Sequence, residues 1–524
     1  MFQLLKKKTG RLTRMLRYVK RSREMMHIRP VHVSRAELND KSSYYERIVD
    51  NFVQEMKACS EASKADFPRN ERLTDYEILS FNGDRMGKVL RKDGEIYRGI
   101  YRESADDFRE MWKSGLLQTL SAHGWIPETE ISGYYTDEYP IILNHRTVDM
   151  NASKLWSYNM VREAAIRISL IQKIARRAGF TLHDGHMNNV TFHEGKPVFT
   201  DIGSFVKDRG QTTVCNREIV FSGCYRCVFR QLGNFMLSRN QTYDEANNMI
   251  WMTPRYYDDL TEEYRLALRK FRGYHRFRSS AVIRRIIHRM FDCWDVRPEY
   301  IDVLFPAETG AADNPYPEDV ERIAVALNEA GIRPGSAVDV GGTVGHMSER
   351  LYKEFGMKVI CCETNDTLCD RAFALFSGES IPGNVFAFHY LYGCDPDSRR
   401  SVTADLATCA DITHNVFSVQ QYRCDSLLNS LRKMADRYVA VTYYPYRPAS
   451  EKYIRRLTDE GTEDVREFVR TFKEFFDVLL MKEFGCGQSD LSFGSVIREC
   501  ADLPEAGDIE DKEDYCLLMV GRVR

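Results

Sequence analysis

Two stretches of the chain carry side chains whose types and spacing could do chemistry. In the first, GFTLHDGHMNNVTFHEGKPVFTDIGSF from Gly179 to Phe205, Asp184 and Asn189 are five positions apart and Asp201 follows a short hairpin pattern. Phosphoryl transfer needs a carboxylate to orient the acceptor hydroxyl, with an amide and a second carboxylate to hold magnesium across the phosphates. Asp184 is spaced for the first role, Asn189 and Asp201 for the second. In the second stretch, VDVGGTVGHMS, Asp339 precedes Gly341, Gly342 and Gly345, and Glu363 ends the segment KVICCE about 24 positions after Asp339. Glycines at the end of a buried strand let the backbone approach a nucleotide-like ligand and adopt positive φ. An acid ending the next strand can accept hydrogen bonds from both ribose hydroxyls. The glycines lack the G-x-G-x-x-G spacing of a dinucleotide site with pyrophosphate at a helix N-terminus.

Different elements must hold the two groups. In the front part, YEILSF, GKVLRK and EIYRGIY between Tyr76 and Tyr101 read as three strands, joined by turn signals at Asn82-Gly83 and Asp93-Gly94. A helix is expected over Ala105 to His123, and strand-like residues over Tyr139 to Leu143. A long helix then places Val161, Ala164, Ala165, Ile168, Ile171 and Ala175 on one face and ends at Gly179. Strand VTF, a Glu194-Gly195 turn and strand PVFT lead to Asp201. From about Pro306 to Pro317 the composition shifts to Pro, Gly, Ala, Asn and acids, which reads as a linker. Beyond it, helical and strand patterns alternate, which predicts a parallel sheet covered on both faces.

The acid-led glycine turn resembles motif I of the class I S-adenosylmethionine-dependent methyltransferases, D-x-G-x-G-x-G, with Thr343 at the middle glycine. The resemblance covers about Asp319 to Arg524. It implies an α/β Rossmann-like domain with a seven-stranded, mostly parallel sheet whose last strand, DYCLLMVGRVR, is the antiparallel edge. It also implies S-adenosylmethionine as cofactor, held by Asp339, Gly341, Gly342, Gly345 and Glu363. Methyl transfer rests mainly on alignment of nucleophile, methyl and sulfur, with a base where the acceptor is a weak nucleophile. His414, in DITHNVFSVQQY after the fourth strand, lies with Asn415 where this fold points groups at the methyl. It reads either as that base or as a histidine that is only hydrogen-bonded.

The first stretch resembles the catalytic loop and D-F-G segment of the protein-kinase-like fold, in the compact form of aminoglycoside and other small-molecule phosphotransferases. This likeness spans roughly Tyr44 to Asp302 and implies an α+β bilobal domain using ATP and Mg2+. Asp184 is then the catalytic base, and Asn189 and Asp201 are the metal ligands. Leu182 stands two before Asp184 in place of a histidine, and the phosphate-clamping lysine of the third strand is replaced by Arg98, with Lys88 on the preceding strand as the alternative. LWSYNMVREAA and GKPVFTDIGSF are similar to segments of bacterial proteins associated with surface-glycan and nodulation-factor modification. A small molecule or glycan is therefore the expected acceptor. The kinase-like half either turns over or serves as a binding module.

Composition bounds these readings. The 524 residues hold 74 Lys plus Arg against 76 Asp plus Glu, a formal charge of -2 that gives no general attraction for nucleic acid. The expected division is a basic amphipathic leader at 1–43, a kinase-like domain at 44–302, a linker at 303–318 and a methyltransferase domain at 319–524. Ten Lys or Arg and one acid, Glu24, fall in the first thirty residues, interleaved with Leu5, Leu12, Met15, Leu16 and Val19. That leader is either solvated or in peripheral contact with an anionic membrane, and its bases interrupt what a signal peptide would keep apolar. No stretch has the roughly 18 apolar residues a spanning helix needs, and mean hydropathy is -0.44. Fourteen cysteines without regular pairing fit reduced thiols in a cytoplasmic protein, and the tightest cluster, Cys215, Cys224 and Cys227, lacks the second pair that structural zinc needs.

Overall fold

The computed structural model describes residues 35–62, 67–79, 85–151, 155–185, 189–210, 214–215, 297–304, 307, 318–363, 366–387, 402–410, 412–413, 424–444, 465–485, 497–498 and 515–524. Contacts divide the chain into one unit made of Met1–Ser153, Tyr158–Leu232 and Asn248–Ala307, and a second made of Lys154–Ser157, Gly233–Asn247 and Glu308–Arg524. They are called the front and rear units below. The basic stretch of residues 1–30, the Asn82-Gly83 turn, Cys224 and Cys227 lie outside the described residues.

The front unit opens with α1 (Arg35–Ala62), which begins within the segment expected to be leader. Its first sheet contains β1 (Glu77–Ile78), β2 (Gly87–Lys92), β3 (Glu95–Ile100), β4 (Thr129–Ile131) and β5 (Ile141–His145) in the spatial order β1-β2-β3-β5-β4. All four pairings are antiparallel. Side chains alternate across such strands, so Leu90, Tyr97 and Ile142 enter one buried cluster with Leu73 and Tyr139, while Arg98 goes to the other face. The single helix expected over Ala105 to His123 is two, α2 (Ala105–Lys113) and α3 (Leu116–Ala122). Gly115 breaks it. At φ +79 it adopts the left-handed conformation, and a Cβ there would lie 2.3 Å from the backbone oxygen of Met56 on α1.

Helix α4 (Tyr158–Arg177) buries Val161, Ala164, Ala165, Ile168, Ile171 and Ala175, the face its periodicity predicts. Its Gln172, fully buried, accepts the Leu182 N–H at 2.7 Å and donates to Thr181 Oγ1 at 2.8 Å. Those residues belong to β6 (Phe180–Leu182), which leads to Asp184. The hairpin of β7 (Val190–His193) and β8 (Lys196–Phe199) turns at Glu194 and Gly195, both at positive φ, and delivers Asp201. Then β9 (Phe205–Lys207) returns antiparallel to β6, and α5 (Pro298–Leu304) packs on α1 and α4.

The rear unit runs α6 (Glu318–Glu329), β10 (Ser336–Val340), α7 (His346–Phe355), β11 (Lys358–Glu363), α8 (Asp366–Gly378), β12 (Gly383–Ala387), β13 (Ala404–Cys409), α9 (Cys424–Met434), β14 (Ala435–Tyr443), α10 (Val465–Phe475), β15 (Phe476–Gly485), β16 (Ile497–Arg498) and β17 (Tyr515–Val523). The sheet order is β12-β11-β10-β13-β14-β17-β15-β16, with β10 to β14 parallel. This is an α/β Rossmann-like sheet in which the order reverses beside β10, where ligands of open parallel sheets bind. The expected seven strands are present, and the two-residue β16 pairs with β15 as an eighth. One expectation needs correction. The last strand, β17, is antiparallel but interior, since Leu517, Leu518, Met519 and Val520 are buried between β14 and β15.

Candidate functional site

In the rear unit, β10 is buried after Ser336 and apolar from Ala337 to Val340 except for Asp339, which is 1% exposed. Its Oδ2 accepts the Ser348 N–H at 3.2 Å and the Ser348 hydroxyl at 2.9 Å, and its Oδ1 takes a longer contact from Thr408 Oγ1 at 3.4 Å. Burial, opposed by those donors and reinforced by the Glu363 charge, pushes its carboxyl up to about 7. The strand ends in a turn in which Gly341 and Gly342 both donate to the carbonyl of Cys362, at 2.8 and 3.1 Å. Gly342 has no room for a side chain, because a Cβ would stand 2.6 Å from Asp339 Oδ2 and from Cys361 Sγ. Gly345, at φ +92, closes the turn on the Gly342 carbonyl at 2.7 Å and caps α7.

Thr343 takes φ 49, the left-handed region that a β-branched residue avoids. That conformation aims its N–H at Glu363, whose Oε2 accepts it at 2.9 Å. Glu363, at the end of β11 and 5% exposed, therefore faces the glycine turn, as an acid serving the same crevice must. Asp339, Gly341, Gly342, Gly345 and Glu363 thus converge at the carboxyl edge of β10 and β11. The neighbouring thiols are not reactive groups. Burial raises the Cys361 and Cys409 thiols, and an undissociated thiol is a poor nucleophile.

His414 and Asn415 lie outside the described residues, but the segment that leads to them is anchored. Thr413 Oγ1 donates to the Thr442 carbonyl at 3.1 Å and accepts the Tyr444 N–H at 3.0 Å, tying it to the end of β14. Asp319, in the first turn of α6, accepts from Thr442 Oγ1 at 2.7 Å and Tyr444 Oη at 2.6 Å.

In the front unit, Asp184, Asn189, Asp201 and Arg98 form one cluster. Asn189 Nδ2 donates to the Asp184 carbonyl at 2.8 Å and lies 3.4 Å from Asp201 Oδ2. The Arg98 guanidinium, 4% exposed, lies 3.4 Å from Asp201 Oδ1. Lys88 is opposite Gly99 in the ladder while Arg98 is opposite Val89, so Lys88 projects from the other face and cannot take the place of Arg98. Leu182, where a histidine was expected by resemblance, is a fully buried rung opposite Phe205.

Sequence reasoning missed the groups that support these acids. His145, on β5, shares the face of Arg98 and is buried. Its Nδ1 lies 2.9 Å from Thr129 Oγ1, whose proton is committed to the Pro127 carbonyl at 2.7 Å. Nδ1 must then carry the imidazole proton. Burial, with the Arg98 charge, drives the ring down to about 3, so it stays neutral beside the guanidinium. Ser348 and Thr408 are as distant from any motif, and their only signal is to be polar in otherwise apolar helix and strand faces.

Among the described residues no group of three or more His, Cys, Asp or Glu side chains could hold a metal, and no helix is long and apolar enough to cross a membrane. Cys516 is disulfide-bonded, against the expectation of reduced thiols throughout, and Cys59, Cys361, Cys362, Cys369, Cys409 and Cys424 are free.

No family model matches the sequence, and no curated protein matches it. Solved structures similar to the chain include EvdMO1, at 14% identity over 41% of this chain with a TM-score of 0.27. The chain spans 43% of that structure's length. N-methyltransferase NodS from Bradyrhizobium japonicum WM9 is 14% identical over 41% of this chain and 99% of its own, with a TM-score of 0.26. Magnesium protoporphyrin IX methyltransferase from Synechocystis PCC 6803 with bound SAH is 14% identical over 40% of this chain and 83% of its own, also at 0.26.

Proposed function

We propose that the rear unit is an S-adenosylmethionine-dependent methyltransferase acting on a small molecule or glycan. One observation carries the reading: Asp339 and Glu363 end adjacent parallel strands at the point where the strand order reverses, joined by a turn that admits no side chain at Gly342. The donor set suits the cofactor. Glu363, facing the glycine turn, is the carboxylate that a bound nucleoside would meet, while buried Asp339 braces the turn and α7 through Ser348 and Thr408. When bound, S-adenosylmethionine supplies the electrophilic methyl. The chain's part is placement: Glu363 accepts the ribose hydroxyls, the Gly341 to Gly345 turn lets the backbone come close, and Thr413 fixes the start of the segment bearing His414. His414 would take the proton of a hydroxyl acceptor. Photocrosslinking of methyl-labelled S-adenosylmethionine to the full chain tests the reading. Label should be displaced by S-adenosylhomocysteine and be lost in Glu363→Ala, and crosslinking insensitive to both would remove it.

The front unit supports a phosphotransferase-like reading beside the first. Asn189 and Asp201 are neighbours, with the Asn189 Nδ2 3.4 Å from Asp201 Oδ2, and a hard cation would take the Asp201 carboxylate and the Asn189 amide oxygen as ligands, with water and phosphate oxygens completing its shell. With ATP bound, Asp184 would orient an acceptor hydroxyl, and Arg98 would meet the phosphates with a charge that its buried position keeps fixed. Radiolabel transfer from ATP to glycan or lipid-linked acceptors, absent in Asp201→Ala, separates turnover from a binding module. The basic stretch of residues 1–30 would place the protein against an anionic membrane surface, and co-sedimentation with phosphatidylserine vesicles before and after its removal tests that.

A further inference from the structure

Ser204 joins the two acid-bearing segments of the front unit through three hydrogen bonds, although the sequence pattern assigns it no role of its own. It ends the short turn Ile202–Ser204 that follows Asp201, and it is 3% exposed. Its N–H closes that turn on the Asp201 carbonyl at 3.1 Å. Its carbonyl accepts the His183 N–H at 2.7 Å, and its hydroxyl accepts the N–H of Asp184 at 2.8 Å.

The arrangement follows from the ladder beside it. Strands β6 and β9 are antiparallel, with Leu182 opposite Phe205, so the next position pairs His183 with Ser204. A regular ladder would then carry Asp184 onward opposite Gly203. Here the chain leaves the ladder, and Asp184 and Gly185 pair instead with Val214 and Cys215. The Ser204 hydroxyl keeps the two segments joined past the last rung by accepting the Asp184 N–H. Asp184 is thereby held at a set offset from Asp201. Asn189 closes the loop from the other side, donating to the Asp184 carbonyl at 2.8 Å.

We propose that Ser204 is a positioning residue that fixes the spacing between Asp184 and Asp201 required for magnesium-coupled nucleotide binding. This rests on the phosphotransferase-like reading of the front unit. Alanine at 204 removes the hydroxyl that ties the half-buried Asp184 N–H to the segment after Asp201, so Asp184 and with it Asn189 should shift relative to Asp201. Binding that depends on both segments through a shared cation should suffer, and binding of nucleotide alone should not.

The test is titration of the full chain with ADP, with and without Mg2+. In wild type, magnesium should strengthen ADP binding. In Ser204→Ala that enhancement should fall about tenfold, the worth of one well-made hydrogen bond, with magnesium-free affinity unchanged as a sign that the unit is folded. Ser204→Thr keeps the hydroxyl and should restore the enhancement. Ser204→Cys keeps the shape with a poorer acceptor, carries the test should the alanine variant not fold, and should lose at least about threefold. Full enhancement in Ser204→Ala or Ser204→Cys overturns the proposal. A wild-type chain that binds no ADP with magnesium overturns the phosphotransferase-like reading beneath it.

Discussion

Asp339 in the rear unit and Asp201 in the front unit are both acids placed near a strand end and a tight turn, and the groups around them differ in kind. Asp339 meets Ser348 and Thr408, which donate hydrogen bonds but carry no charge. Asp201 faces the buried guanidinium of Arg98, with a neutral imidazole on the same sheet face. Among the described residues the groups that contact Asp339 are neutral donors. The front site contains its own cation and suits an anion such as phosphate. Burial acts on both, and the partner decides which ligand charge is favoured.

The comparison breaks most visibly with pH. Asp339 rises from an ordinary 3.8 to about 7 on folding, so its contribution to stability is complete below 3.8 and is lost as pH climbs through about 7. The swing is on the order of 4 kcal/mol at about 1.4 kcal/mol per pH unit. His145 falls from 6.5 to about 3, so its contribution is present above 6.5 and is lost as pH drops toward 3. Hydrogen exchange on peptides from β10 and β5 should therefore show the rear unit loosening with alkali and the front unit loosening with acid. Asp339→Asn should flatten the rear slope, and an unchanged slope would show that Asp339 is ionised without cost.

Packing at the turn gives the next effect. Gly342→Ala puts a Cβ against Asp339 Oδ2 and Cys361 Sγ and should destabilise the rear unit by about 3 kcal/mol in denaturant unfolding. The front unit should unfold as before. Arg98→Met tests the other side of the comparison, removing the fixed charge while keeping much of the volume. It should weaken ADP binding about thirtyfold, within the range for hydrogen bonds to charged groups, and leave S-adenosylhomocysteine binding unchanged.

The order of helices and strands was legible because its periods are strong: α4 buries the face its spacing marks, and β10 reads as an apolar strand interrupted by Asp339. That Asp339 and Glu363 would meet at one glycine turn, and Asp184 and Asp201 in one cluster, was legible from their spacing along the strand pattern. What escaped is what depends on pairing across the sheet. Nothing local marks Lys88 as facing away from Arg98, because the face is set by the register with Gly99 and Val89. Nor does DYCLLMVGRVR reveal that β15 will cover its outer side, since an interior and an edge strand share the same apolar run. Ser204, Ser348 and Thr408 are invisible for the same reason, each being defined by a partner at least nine residues away.

Thr343 gives the smallest effect and sharpens the rear half of the comparison. Glycine there relieves a left-handed β-branched residue, so Thr343→Gly should raise the stability of the rear unit by about 1 kcal/mol. A loss of stability would mean that the threonine side chain makes contacts worth more than its backbone strain.

Calorimetric titration of the full chain with S-adenosylhomocysteine bears most directly on the rear site. Saturable binding at one site is expected, weakened at least about hundredfold in Glu363→Ala because two charge-assisted hydrogen bonds to the ribose would be lost. Absence of binding in the wild type, or equal affinity in the variant, would contradict the assignment of Glu363 and its glycine turn to a nucleoside cofactor.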